Sequence, residues 1–213
     1  MKLELYYAPF SCALVPYILL EEAGAAFEVR LVNMMRRENL LPEFLAINPK
    51  HRVPVLLRDG VPLTETLAME LWIARNWPDA RLLPDDEIAA IELLAWCGTT
   101  IHPSLTPNVL PQRFCDLPGS EESVRRCAHK LLHENFAIAE KRLAGREWFF
   151  DHFTCPDVHF FWCFRRAMSF DVDVSGYPSC AAHFERVRAR PATQKLIAFE
   201  AQVLEGVKKR LAQ

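Results

Sequence analysis

Tyr6-Tyr7-Ala8-Pro9-Phe10-Ser11-Cys12-Ala13-Leu14-Val15-Pro16 marks the junction between a short strand and a helix. Upstream, Leu3 and Leu5 alternate with polar neighbours as one face of a strand does. Downstream, Cys12 to Glu22 has helical composition ended by Gly24, and Phe27, Val29 and Leu31 again step by two. The opening therefore predicts strand, helix, strand. Asp59-Gly60, between Val55-Leu56-Leu57 and Val61-Pro62-Leu63, is a hairpin signal, because those two residue types tolerate the positive φ angles of a tight turn. Ala68, Leu71 and Trp72 then form a helical stripe that Pro78 stops.

The order βαβ followed by αββα is that of a thioredoxin-like α/β domain. The segment Pro78-Asp79-Ala80-Arg81-Leu82-Leu83-Pro84-Asp85-Asp86 is proline-flanked and polar at its ends, which places the domain boundary there. Residues 1–78 are thus expected to form the α/β domain, 79–86 a linker and 87–213 an all-helical domain. In the latter, Ile88, Ile91, Leu94, Gly98 and Ile101 step by three and four, predicting a helix kinked or ended near Pro103. Val124, Ala128, Leu131 and Ile138 predict a second helix, and Leu196, Val203, Val207 and Leu211 the last one. Four prolines between Pro103 and Pro118 predict a broken helix or loop. Thr154-Cys155-Pro156-Asp157 reads as a capping box, opening a helix whose residues Val158 to Phe164 are apolar on nearly every side and expected to be buried.

Composition excludes several classes of function. A chain of 213 residues with 51% hydrophobic content can bury a substantial core. A formal charge of -2, with no block of like charge, gives no footprint for nucleic acid or an anionic membrane. Seven scattered cysteines without a Cys-x-x-Cys pair or clustered Cys/His spacing argue against a disulfide framework and against structural zinc. The strand-like start and the absence of a long apolar run favour a reducing cytoplasm.

The chemistry concentrates in three segments: the junction with Cys12, the stretch Asn48-Pro49-Lys50-His51-Arg52-Val53-Pro54-Val55, and the helix entry Thr64-Glu65-Thr66-Leu67-Ala68. A thiol at a helix N-terminus is expected to ionise readily, since backbone N–H groups and the macrodipole favour the anion. Together the segments read as a thiol-ligand site.

On these segments and Thr154-x-x-Asp157, nearly the whole chain resembles the cytosolic glutathione transferases, most closely the bacterial beta class. The resemblance implies the glutathione transferase fold, with glutathione bound as co-substrate and no other cofactor. It further implies a homodimer, a small hydrophobic electrophile as second substrate, a detoxifying role and a bacterial source. It places Cys12 against the glutathione sulfur, with Ser11 as the rival hydroxyl activator. It sets a cis-proline at Val53-Pro54, leaving the backbone of Val53 to pair with the cysteinyl part of glutathione. Glu65 and Thr66 would take the γ-glutamyl end, and Lys50, His51 or Arg52 the glycyl carboxylate. His102, before Pro103, matches a beta-class histidine that reaches the active site from the second domain, where it would steady a thiolate or shuttle a proton. Phe10 and Ser11 stand where the beta class has small residues, so Phe10 would narrow or line the electrophile side; Trp96, Thr99, Pro103 and Phe161 are pocket candidates that follow no motif, with core packing the alternative for Trp96 and Phe161. Tyr6 and Tyr7 read as core, and Asp157 and Arg190 as folding residues.

The leading expectation is an enzyme that joins the glutathione thiolate to small electrophiles. A second is glutathione-dependent disulfide exchange or peroxide reduction through Cys12, which has no resolving cysteine nearby. A third is a non-catalytic, protein-binding member of the stringent-starvation type, with His51-Arg52 and Phe10-Ser11 marking a decayed ligand site.

Overall fold

The computed structural model describes the backbone of residues 1–211 and the side chains of residues 1–206. Val207 and Leu211, read above as part of the last helical stripe, have side chains outside that range. The chain forms two compact units, Met1–Leu82 together with the chain from Ala189 onward, and Leu83–Arg188. Among the described residues, no helix is long and apolar enough to cross a membrane.

The first unit is the expected thioredoxin-like fold. Its elements are β1 (Leu3–Tyr7), α1 (Leu14–Glu22), β2 (Glu28–Leu31), α2 (Pro42–Ile47), β3 (Val55–Arg58), β4 (Val61–Leu63) and α3 (Thr66–Asn76). The sheet order is β2-β1-β3-β4, with β1 parallel to β2 and antiparallel to β3, and β3 antiparallel to β4. The parallel pair requires a crossover, and α1 is that crossover. The hairpin turn has φ +49° at Asp59 and +84° at Gly60, the two positive values expected of this dipeptide. Pro62 lies on the edge strand β4, where the missing N–H costs little.

Leu3, Leu5 and Tyr7 of β1 are buried, while Tyr6, on the opposite face, packs edge-on against Phe44 of α2 at 5.8 Å. Phe44, Val32 and Val55 form a small core on that face. Helix α1 is buried continuously from Leu14 to Leu20 and is covered by α3 and by the last helix, numbered α9 (Pro191–Leu211). The Arg190 guanidinium grips Glu22 at the end of α1 through two 2.7 Å bonds, and Lys195 pairs with Glu21. Phe199 stacks on Tyr17 with ring centres 5.5 Å apart.

The second unit contains α4 (Glu87–Trp96), α5 (His102–Val109), α6 (Glu121–Leu143), α7 (Cys155–Met168) and α8 (Pro178–Ala189). A π-helical turn over Cys97–Ile101 joins α4 to α5 without leaving helical dihedrals, so the break expected near Pro103 is instead a widened turn just before it. The proline-rich stretch is a broken helix, as expected: α5 carries Pro107 inside it and gives way to a short 3₁₀ turn at Pro111–Arg113.

The predicted stripe of α4 faces the core at Leu94 and Ile101, with Ile88 exposed at its start, whereas that of α6 is only partly in phase: Ala128 is buried but Leu131 and Ile138 are about half exposed. The inward face of α6 carries, besides the predicted Ala128, the residues Leu132, Asn135, Phe136, Ala139 and Leu143. A polar residue at the centre of that face hides it from apolar counting, and Asn135 is satisfied there by accepting from Trp96 Nε1 at 2.7 Å.

Helix α7 is buried from Cys155 to Phe164 and starts on the expected capping box. The Asp157 carboxylate accepts from Thr154 N–H at 2.8 Å, from Thr154 Oγ1 at 3.0 Å and from Phe149 N–H at 3.1 Å, and His183 Nε2 lies 2.8 Å away. One fully buried acid thus ties a helix start, the preceding loop and α8 together. Asp157→Ala should therefore cost about 2–4 kcal/mol, because it strands several buried groups, whereas Thr154→Ala should cost about 1 kcal/mol. Denaturant midpoints of the two variants measure the difference, and equal losses would mean the carboxylate is no more than a cap.

Candidate active site

The turn from Ala8 to Leu14 is built largely by its own groups. The Ser11 N–H and the Ser11 hydroxyl both donate to the Ala8 carbonyl, at 3.2 and 2.7 Å, and Ser11 Oγ accepts from Ala13 N–H at 3.2 Å. A hydroxyl has one proton to give. Ser11 has committed it to the backbone, and that bond must break before Ser11 can donate to a ligand sulfur.

Cys12 lies one residue before Ala13, the N-cap of α1, and is 8% exposed. Its thiol donates to the Val53 carbonyl oxygen at 3.8 Å and is hydrogen-bonded with the Thr66 side chain. The expectation of a ready thiolate is corrected here. Burial pushes the thiol up to about 11, and the carboxylates of Glu70 and Glu65 push the same way against the partial relief from Thr66. At pH 7 a thiol with that value is ionised in about one molecule in ten thousand.

The second segment is organised by Asn48, which is 1% exposed. Its side-chain amide donates to the Arg52 carbonyl at 2.7 Å and its side-chain oxygen accepts from Lys50 N–H at 3.1 Å, folding residues 48–52 into a tight loop. Asn39 donates to the His51 carbonyl at 2.8 Å, holding His51 at φ +49°. Arg52 is exposed. The Val53-Pro54 peptide bond is cis.

At the third segment α3 begins without a side-chain cap. Glu65, the N-cap residue, sits at φ +72° and ψ 119°, a conformation that residues with a Cβ seldom adopt. Its carboxylate pairs with the Lys50 ammonium, which also donates to Thr64 Oγ1 at 2.6 Å. The uncapped helix start leaves first-turn N–H groups available to an anion beside the Thr66 hydroxyl. Cys12, Val53 and Thr66 therefore meet in one place, and Lys50 binds the second segment to the third.

The remaining candidates belong to the second unit. His102 is half-buried and meets Trp162 edge-on, with ring centres 4.3 Å apart. Trp96 is engaged with Asn135 on one side and lies 5.7 Å from the Arg142 guanidinium on the other. Thr99 is exposed with its hydroxyl bonded to the Ala95 carbonyl at 2.8 Å, and Pro103 is exposed. Phe161 is fully buried and stacked on Phe184 at 4.9 Å, so it belongs to the core of that unit, as the apolar run Val158 to Phe164 implies. Tyr6 and Tyr7 are packing residues, as expected. The Tyr7 phenol donates to the buried carboxylate of Glu200 at 2.5 Å, and Phe10 N–H donates to the same oxygen at 2.9 Å.

Two supporting residues escaped the sequence reading, Asn39 and Glu200, since nothing local marks either; Asn48 opens a segment the sequence singles out, and its role there is to fold the loop.

Comparison with known proteins adds independent support. Residues 1–75 match the model of the glutathione S-transferase N-terminal domain, and residues 95–191 that of the C-terminal domain. The chain is 31% identical to glutathione S-transferase GstA of Escherichia coli O157:H7, over 93% of this chain and 98% of that one. Among solved structures, the bacterial beta class glutathione S-transferase of Sphingomonas chungbukensis superposes with a TM-score of 0.82 at 30% identity, covering 92% of this chain and 98% of its own. A sphingomonad glutathione S-transferase complexed with glutathione superposes with a TM-score of 0.83 at 27% identity, covering 93% and 98%. Matched along nearly its whole length, with both domain models in sequence order over a thioredoxin-like sheet and a helical unit, the chain belongs to the glutathione S-transferase family.

Proposed function

We propose that the protein binds glutathione across its three converging segments and catalyses attack of the glutathione sulfur on small electrophiles. The observation that carries this reading is the meeting of the Cys12 thiol, the Val53 carbonyl and the Thr66 hydroxyl beside an uncapped helix start. The complexes of similar proteins with glutathione support the choice of ligand.

In this reading the γ-glutamyl carboxylate takes the N–H groups of α3 and the Thr66 hydroxyl, and the amine takes the Glu65 carboxylate. The backbone of Val53 pairs with the cysteinyl part, and Arg52 or His51 with the glycyl carboxylate. The bound sulfur then faces Cys12. Cys12 keeps its proton, which in this structure goes to the Val53 carbonyl; once the cysteinyl N–H takes that carbonyl, the role of Cys12 is to donate to the glutathione thiolate, and the nucleophile is the sulfur of glutathione itself. The same burial disfavours turnover through a Cys12 thiolate, so disulfide exchange is the weaker reading. Ser11, already committed to Ala8, contributes by shaping the turn.

His102 is assigned to proton transfer, which the beta-class resemblance of His102-Pro103 supports, and Trp96, Thr99 and Pro103 are assigned to electrophile selectivity. Phe10, 37% exposed, presents an aromatic face to the second substrate. The homodimer, the reducing cytoplasmic setting and the detoxifying role complete the reading. Leu131 and Ile138, seven residues apart on α6, supply apolar surface that such a dimer would cover.

Calorimetric titration of the reduced protein with glutathione should give one site per chain. Absence of heat at about 10 mM ligand would rule out glutathione-dependent enzymology and favour a protein-binding role. Thr66→Ala should weaken glutathione binding by about tenfold, the loss of one hydrogen bond to a charged group.

Alkylation by iodoacetamide at pH 7, followed by peptide mapping, should label exposed Cys127 first and Cys12 about a hundredfold more slowly than a free thiol. The Cys12 rate should rise with pH towards about 11, since the ionised fraction grows only as pH approaches that value. Rapid labelling of Cys12 at pH 7 would restore the thiolate and, with it, disulfide exchange.

A further inference from the structure

Within the turn that carries Cys12, Ser11, Ala13 and Leu14 donate their N–H groups to acceptors of the same turn. Phe10 differs. Its N–H reaches Glu200 Oε1 at 2.9 Å, a partner 190 residues away on α9, and the same oxygen accepts the Tyr7 phenol at 2.5 Å. Glu200 is 2% exposed and Tyr7 fully buried, so the acid bridges the end of β1 and the centre of the turn inside the first unit. Phe10 also holds φ +61°, a conformation an ordinary residue keeps only when its surroundings enforce it. Cys12 follows two residues later.

Helix α9 is fixed in register by independent anchors. The Arg190 guanidinium holds both oxygens of Glu22, Lys195 holds Glu21, and Phe199 meets Tyr7 and Tyr17 at 5.6 and 5.5 Å. The Glu200 carboxylate is therefore delivered to the turn by a braced element.

We propose that Glu200 is a positioning residue for the thiol site: from the last helix it holds Phe10 in its left-handed turn and so fixes where the Phe10 ring and the Cys12 thiol stand. The acceptor on Oε1 is what matters. The charge of the carboxylate is secondary, since a glutamine offers the same oxygen to the same two donors. This deepens the glutathione reading, because a turn that relaxes changes ligand affinity as well as stability.

The test compares Glu200→Ala, Glu200→Gln and Tyr7→Phe, with the fold of each verified by circular dichroism and denaturation. The two readouts are glutathione affinity by calorimetry and the alkylation rate of Cys12 by peptide mapping. Glu200→Ala should weaken glutathione binding at least about fivefold and raise Cys12 alkylation by a similar factor, while Glu200→Gln stays within about twofold of the parent in both. Tyr7→Phe, which removes the other donor but leaves the Phe10 bond, should lose stability while keeping both readouts within about twofold.

A folded Glu200→Ala with parental affinity and parental Cys12 reactivity would overturn the proposal. So would Tyr7→Phe shifting both readouts as far as Glu200→Ala, since packing alone would then explain the effect. Should Glu200→Ala fail to fold, Glu200→Asp keeps the charge, withdraws the acceptor by one methylene and is held to the same criteria. If the parent protein itself binds no glutathione, the functional reading fails, and the Cys12 alkylation rates alone still decide the role of Glu200.

Discussion

Helix α1 is apolar on every side, and this constrains the whole first unit. From Leu14 to Leu20 there is no exposed residue, so no single neighbour on one flank can satisfy the helix. At about 25 cal/mol per Å² of apolar surface, leaving even two leucine-sized side chains in water would forfeit about 3–6 kcal/mol, a large part of the net stability of a domain. Helix α3 covers one part of this surface and α9 another. The C-terminal helix is thereby recruited to the unit that opens the chain. Its polar anchors, Arg190 on Glu22 and Lys195 on Glu21, sit at the end of α1, where they add register to what burial already demands.

Cys12 shows two electrostatic effects of opposite sign meeting on one atom. A helix N-terminus favours an anion by about 0.3–1 kcal/mol, less than one pKa unit. Burial in an apolar setting raises a thiol by as much as several units. With Glu70 and Glu65 adding their negative potential, desolvation wins and the thiol stays neutral. Sequence shows the helix start but not the depth of the sulfur, so reading the motif alone overstates the thiolate. A neutral thiol suits hydrogen-bond donation better than nucleophilic attack.

The features legible in the sequence are those set by neighbours along the chain. Asp59-Gly60 fixed the hairpin, Thr154 and Asp157 the start of α7, and the period-two runs the strands, because each needs only residues within a few positions. The phase of α6 was only partly legible because its inward face contains Asn135, which is acceptable there only through its bond with Trp96, 39 residues earlier. For Phe161 the sequence left pocket and core both open, since an aromatic residue on a helix has no visible direction until its stacking partner, Phe184, is known. Glu200 carried no signal at all, as a lone acid in an amphipathic helix is ordinarily solvated.

The same distinction separates the residues of the candidate site from those that hold them. Three non-glycine residues of the candidate site, Phe10, His51 and Glu65, have positive φ, each in a different segment. Each is tied through a group of its own to a residue outside its immediate turn: Phe10 N–H to Glu200, the His51 carbonyl to Asn39, and the Glu65 carboxylate to Lys50. Backbone in such conformations is expected to relax unless neighbouring structure over-determines it. The site therefore has its shape before any ligand arrives, and the cost of that shape is met by bonds from distant parts of the unit. A motif records the residues that meet the ligand, whereas the residues that keep them in place are specified only by the fold.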